Sequence, residues 1–136
     1  MSPDKTLDVL IIDDEVPFSD ILKKRLGKRG LDVRTANSGP KGLAALEERL
    51  ADVVVLDMRM PGMDGVDTFR AIKELAPDTE VIFLTGHVDT DSALAGLEMG
   101  AFDYCLKPID LDALYDKLLD AAERKRLAEG IGSAIK

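Results

Sequence analysis

Five short aliphatic runs, each followed by a helix-length amphipathic stretch, constrain this 136-residue chain more than any other feature. The runs span residues 7–12, 31–36, 52–56, 80–84 and 102–106. Three of them, Val9-Leu10-Ile11-Ile12, Val53-Val54-Val55-Leu56 and Val81-Ile82-Phe83-Leu84, are apolar without alternation, the pattern of parallel strands covered on both faces. The run 31–36 alternates through Leu31, Val33 and Thr35, which predicts an edge strand. The intervening stretches carry apolar stripes at helical spacing: Phe18, Leu22 and Leu26; Leu43, Leu46 and Leu50; Phe69 and Ile72; Leu94 and Leu97; Leu111, Leu114 and Leu118. Punctuation agrees with these stripes. Gly27 or Gly30 closes the first helix, Pro77 the third and Gly100 the fourth, and Asp110 caps the start of the fifth. Strand and helix alternating five times predict a doubly wound α/β fold with a parallel five-stranded sheet. Such sheets bind ligands beyond the carboxyl ends of their strands, so any chemistry is expected there.

At this length the chain is one domain, able to remove roughly two-thirds of its unfolded surface from water without staples. The lone Cys105 has no partner for a disulfide or a metal site, which fits core filling in a reducing, cytoplasmic setting. No apolar run approaches the roughly 18 residues of a membrane span, and the first residues lack a secretory core. With 26 acids against 18 bases, a formal charge of −8 argues against direct nucleic-acid binding. Past the fifth stripe, Leu127, Ile131 and Ile135 sit in a different phase, interrupted by Gly130 and Gly132. The expected division is therefore a body over residues 1–122 and a C-terminal helix extension or linker over 123–136.

The strand ends carry the chemistry. The first ends in Asp13-Asp14-Glu15, the third in Asp57, the fourth in Thr85-Gly86-His87, and the fifth in Tyr104-Cys105-Leu106-Lys107-Pro108. If the first, third, fourth and fifth strands are neighbours, Asp13, Asp14, Asp57, Thr85 and Lys107 converge on one edge. Carboxylates a few ångströms apart repel by about 3–4 kcal/mol per pair at an effective dielectric near 20. One lysine cannot balance three acids. Hard oxygen ligands with open positions suit Mg²⁺, which favours one or two carboxylates with waters and a phosphate. Without metal, one of the acids is expected to titrate upward. An ammonium and a hydroxyl beside such an ion supply charge and hydrogen bonds to a transferring phosphoryl group, and a carboxylate is able to accept it covalently.

Four segments make a family resemblance specific: Ile11-Ile12-Asp13-Asp14-Glu15, the stretch 55–65 (V-L-D-M-R-M-P-G-M-D-G), Phe83-Leu84-Thr85-Gly86, and the stretch 100–108 (G-A-F-D-Y-C-L-K-P). In this order, each at a strand end, they resemble a CheY-like response regulator receiver domain of two-component signalling, over essentially residues 6–122. The resemblance implies a flavodoxin-like (βα)5 fold with strand order 2-1-3-4-5. It implies Asp57 as acceptor of a phosphoryl group from a phosphohistidine on a sensor histidine kinase or histidine phosphotransfer protein. Asp14, Asp57 and the backbone carbonyl of Arg59 resemble the Mg²⁺ ligands, with Asp13 acting through a metal-bound water. Lys107 is similar to the lysine that contacts the phosphoryl oxygen, and its bond to Pro108 is expected to be cis. Thr85 resembles the switch hydroxyl, and Tyr104 the aromatic that moves with it. The face built from the fourth helix, fifth strand and fifth helix is then expected to change shape and bind a downstream effector, an output domain or a second copy. The stretch 55–65 resembles receivers attached to transcription factors, with a stand-alone shuttle as the alternative. The domain is a stoichiometric switch and not an enzyme in this reading.

Plainer roles coexist with these. Asp13-Asp14 is also suited to capping a helix, Pro61-Gly62 and Asp64-Gly65 are turn chemistry, Thr85 suits a strand, and Tyr104 suits an amphipathic surface. Arg59 and His87 lie two residues after Asp57 and Thr85, where this family tunes hydrolysis of the acyl phosphate, and neither matches the fast-hydrolysing chemotaxis type. His87→Ala is expected to change dephosphorylation by less than about tenfold, as for a solvated loop histidine. A phosphatase of the haloacid dehalogenase type has a second acid where this chain has Arg59. A flavodoxin-like nucleotide site cradles phosphate in a Gly/Ser/Thr loop where this chain has Asp13-Asp14-Glu15. A docking module that has lost phosphotransfer would not need Asp57 and Lys107 intact.

Overall fold

Parallel pairing in the order β2-β1-β3-β4-β5 builds one five-stranded sheet in the computed structural model, which describes residues 6–60, 64–86 and 90–135. The elements are β1 (Asp8–Ile12), α1 (Val16–Lys28), β2 (Asp32–Ala36), α2 (Gly39–Glu48), β3 (Val53–Asp57), α3 (Gly65–Leu75), β4 (Glu80–Thr85), α4 (Thr90–Glu98), β5 (Asp103–Leu106) and α5 (Leu111–Ile135). The flavodoxin-like order implied by the motifs is the order found. The alternating run forms the edge strand β2, as expected. Pro61, Gly62 and His87, each given a role above, and Met63 of the 55–65 stretch lie outside the described residues.

Alternate side chains of the central strands supply two cores. Val9, Ile11, Val53, Val55, Ile82 and Leu84 meet Leu22 and Leu26 of α1 and Leu114, Leu118 and Ala121 of α5. Leu10, Ile12, Val54, Leu56, Val81 and Phe83 meet Leu46 of α2 and Phe69 and Ile72 of α3. This is why the three runs show no polar alternation: every residue faces a helix. Each such side chain, fully buried, contributes about 1.5–3 kcal/mol.

The helix boundaries follow local chemistry. Gly30 (φ +91°) and Gly100 (φ +111°) take left-handed backbone just beyond α1 and α4, where other residues are strained. Gly27 lies inside α1, so Gly30 is the stop. Ser38 and Asp64 cap α2 and α3 by accepting from the Lys41 and Asp67 amides. Asp110 Oδ1 accepts from Asp112 and Ala113, as anticipated for the start of α5.

Two apolar stripes needed correction. Leu50 was expected on the buried stripe of the second helix, yet α2 stops at Glu48 and Leu50 is 58% exposed. Arg49 turns to extended backbone there, with its guanidinium paired to Asp8 and Asp32 and its carbonyl accepting from Arg34. Leu94 was expected to face the sheet, but it is 46% exposed, and Ala93 and Gly96 are buried instead. The Phe83 ring fills that space, since a Cβ on Gly96 would lie 2.2 Å from its Cε2. Small residues therefore face the sheet on α4.

Beyond residue 122, α5 continues unbroken, and its next turn is still held to the domain. Arg124 forms two bonds to the Glu80 carboxylate, at 2.5 and 2.6 Å, and lies over the Phe102 ring. Lys125 lies 3.3 Å from Asp52.

Candidate functional site

Strand register sets which side chains meet. Ile12 pairs with both Ala36 and Leu56, Asp57 with Leu84, and Thr85 with Leu106. The next residues along β1 and β5 are Asp13 and Lys107, so the acids of β1 and β3 and the lysine after β5 emerge from one edge. Backbone bonds continue past the strands and hold these ends in place. Asp13 N–H donates to Ala36, Met58 N–H to Leu84, and Lys107 N–H to the Thr85 carbonyl. The Lys107-Pro108 bond is cis, as expected.

One oxygen from each of Asp13, Asp14 and Asp57 lies within 4.8 Å of the others. Asp13 is fully buried, Asp57 nearly so, and Asp14 exposed, so the cluster opens to solvent on one side. The Lys107 ammonium stands 3.2 Å from Asp13 Oδ2 and 3.9 Å from Asp57 Oδ2. Convergence of the acids and the lysine, the main inference from the strand ends, is therefore observed.

Each acid has a distinct environment. Asp13 Oδ1 accepts from the Glu15 amide, which shapes the turn into α1, whereas its Oδ2 is buried and accepts no hydrogen bond among the described residues. Lys107 is close to that oxygen but lacks hydrogen-bond geometry to it. Asp57 Oδ1 accepts from the Arg59 amide at 3.2 Å. Burial, followed by repulsion from Asp13, pushes the Asp57 carboxyl up from 3.8 to about 7, against the opposing pull of the Arg59 amide and Lys107. The upward-titrating acid expected of a metal-free cluster is thus Asp57. Burial works against the Lys107 charge, but the hydrogen bond to Glu15 and the Asp57 and Asp13 charges outweigh it and raise the lysine pKa.

A hard divalent cation fits this donor set. Three carboxylates converge, one buried oxygen has no hydrogen-bond donor among the described residues, and a single ammonium cannot neutralise them. Of the two remaining expected residues, Thr85 ends β4 beside Lys107 and is buried, but its hydroxyl donates to the Gly86 carbonyl at 2.9 Å. Tyr104 is half-buried against the core beneath α2, α3 and α4, and its carbonyl accepts from Lys117 of α5.

One contact at the site was not foreseen. Glu15, read only as part of the Asp13-Asp14-Glu15 motif, accepts from Lys107 at 2.7 Å, and the ammonium rests 4.8 Å from the centre of the Phe18 ring. The available signal was its place as the last acid before α1, directly after the two aspartates that follow the first strand. Glu15 occupies the N-cap position yet makes no side-chain capping bond, because its carboxylate is turned to Lys107.

The family model for the response regulator receiver domain matches residues 9–119. The chain is 37% identical over 123 residues to the transcriptional regulatory protein ZraR of Klebsiella oxytoca, covering 90% of this chain and 28% of that protein. It is 40% identical over 104 residues to the DNA-binding transcriptional regulator NtrC of Salmonella typhimurium, covering 76% of this chain and 22% of that one. Among solved structures, a response regulator receiver domain protein from Clostridium thermocellum superposes with a TM-score of 0.86 at 39% identity, over 90% of this chain and 98% of its own. NtrX from Brucella abortus, solved with ADP, gives 0.89 at 30% identity over 94% and 30%. The chain thus spans about a quarter of the length of the curated relatives it matches.

Proposed function

The chain belongs to the response regulator receiver domain family of two-component signalling, and on that premise we propose that Asp57 is its phosphoryl acceptor. What carries this reading is the position of Asp57: nearly buried at the sheet edge, crowded by Asp13 and Asp14, and within 3.9 Å of Lys107. An Asp57 carboxylate oxygen attacks the phosphorus of a phosphohistidine. The P–N bond breaks, its electron pair stays on the imidazole nitrogen, and that nitrogen takes up a proton. The donor is a sensor histidine kinase or a histidine phosphotransfer protein.

Asp14, Asp57 and the Arg59 carbonyl would hold Mg²⁺, with Asp13 reaching it through a water. When bound, the ion neutralises charge on the phosphoryl oxygens and lowers repulsion among the acids. Lys107 donates to a phosphoryl oxygen and supplies the remaining positive charge. The Thr85 hydroxyl leaves the Gly86 carbonyl to donate to another oxygen, and Tyr104 follows into the space vacated.

The altered surface is that of α4, β5 and α5, where Leu94, Leu106 and Leu119 are exposed. It docks a downstream effector, an output domain or a second copy of the chain. The proposed division is a receiver body over residues 1–122 and a C-terminal helix extension or linker over 123–136, whose first turn still packs on that body through Arg124 and Lys125. Net negative charge leaves DNA contact to other segments or partners. Among the described residues no helix is long and apolar enough to cross a membrane. The domain turns over one phosphoryl group per activation, as a switch and not as a multiple-turnover enzyme.

Borohydride reduction after incubation with phosphoramidate and Mg²⁺ tests the assignment, since an aspartyl phosphate is reduced to homoserine. Peptide mass mapping should find homoserine at position 57; finding it at 13 or 14 would move the acceptor.

A further inference from the structure

We propose that Glu15 is a positioning residue that holds Lys107 away from Asp57 in the resting domain and so slows phosphorylation. The inference rests on the reading of Asp57 as acceptor. Three acids compete for one ammonium, and the distances rank them: Glu15 at 2.7 Å, Asp13 at 3.2 Å and Asp57 at 3.9 Å. The hydrogen bond goes to Glu15, the most exposed of the three at 61%, so the ammonium is drawn toward solvent. The Phe18 ring beneath supports it in that position.

Backbone structure makes the contact reproducible. The Glu15 amide donates to Asp13 Oδ1, its carbonyl accepts from the Ser19 amide and hydroxyl, and its side chain is thereby aimed across the edge from the start of α1. A phosphoryl group arriving at Asp57 needs this ammonium, and the bond to Glu15 must open first. Glu15 also repels an incoming anion. An exposed pair of this kind is worth a few tenths to one kcal/mol, equivalent to about a two- to fivefold effect on rate.

Charge and grip are separable. Glu15→Gln removes the charge, whereas Glu15→Asp keeps it and shortens the reach. Phosphorylation of the full chain by acetyl phosphate with Mg²⁺ is followed by intact mass for wild type and both variants. Both variants should be phosphorylated about two- to fivefold faster than wild type. Lysine side-chain NMR of the metal-free protein gives a readout independent of turnover: the Lys107 ε-methylene resonance, assigned with Lys107→Arg, should move in both variants. An Asp variant that matches wild type while the Gln variant is faster would show simple charge repulsion and overturn the proposal. So would unchanged or slower rates in both variants, or a Lys107 resonance that stays in place. Wild-type protein that takes up no phosphoryl group would instead sink the underlying assignment of Asp57, while the NMR result still decides whether Glu15 grips Lys107.

Discussion

Asp57 pays for its position with a carboxyl group that holds its proton to about pH 7 when no metal is present. The consequence for stability has a definite sign. A raised folded-state value means the native protein binds the proton more tightly than the unfolded chain, so this contribution is complete below about pH 4 and is lost as pH rises through about 7. The metal-free Asp57→Asn variant lacks it. Its unfolding free energy in urea should therefore exceed that of wild type at pH 8, and the gap should narrow toward pH 5. Saturating Mg²⁺ should remove most of the gap at pH 8. A gap that is constant with pH would show that Asp57 is ordinary in the folded domain. At this scale the acids, Thr85 and Lys107 were legible, because each sits at the end of an apolar run and parallel register aligns such ends. The role of Glu15 was not, because an exposed acid at the start of a helix also reads as a cap, and only side-chain direction separates the two.

Elements hold these residues through a few close contacts, and these give sharper predictions than summed burial. Gly65, the first residue of α3, has no room for a side chain: a Cβ there would lie 2.7 Å from the Met58 Cα and 3.1 Å from the Asp57 carbonyl oxygen. The obstacle is backbone, which cannot rotate away. Gly65→Ala should cost about 1–3 kcal/mol in chemical denaturation, and the displaced backbone should also weaken Mg²⁺ binding by the domain. A second device joins α5 to β4. Glu80 is buried, and Arg124 pairs with both of its oxygens while covering the Phe102 ring. Arg124→Ala leaves that acid without its main partner and should cost about 1–3 kcal/mol; adding Glu80→Gln should recover part of the loss, measured as a double-mutant cycle. Strand positions and helix stops were readable from runs and glycines. The buried faces of α2 and α4 were misread at Leu50 and Leu94 because tertiary contacts decide them: ion pairing of Arg49 ends one helix, and the bulk of Phe83 selects small residues on the other.

For the whole molecule, the fold follows from the repeated strand and helix pattern, and the site follows from where that fold ends its strands. The sheet edge at the carboxyl ends gathers acids that repel, while the opposite edge is closed by Arg34, Arg49, Arg124 and Lys125 paired to Asp8, Asp32, Glu80 and Asp52. One pole pairs its acids with bases and the other is left short of positive charge, which is where the proposed cation and phosphoryl group would be accommodated. What lay beyond the sequence was side-chain direction at the site: the Thr85 hydroxyl is turned to Gly86 and Lys107 to Glu15, choices of rotamer that no residue pattern encodes. The direct test is intact-mass measurement after incubation with acetyl phosphate, comparing wild type and Asp57→Asn, each with Mg²⁺ or with chelator. One phosphoryl group on wild type with Mg²⁺, and none in the other three samples, is the predicted result; equal phosphorylation of Asp57→Asn would contradict the assignment.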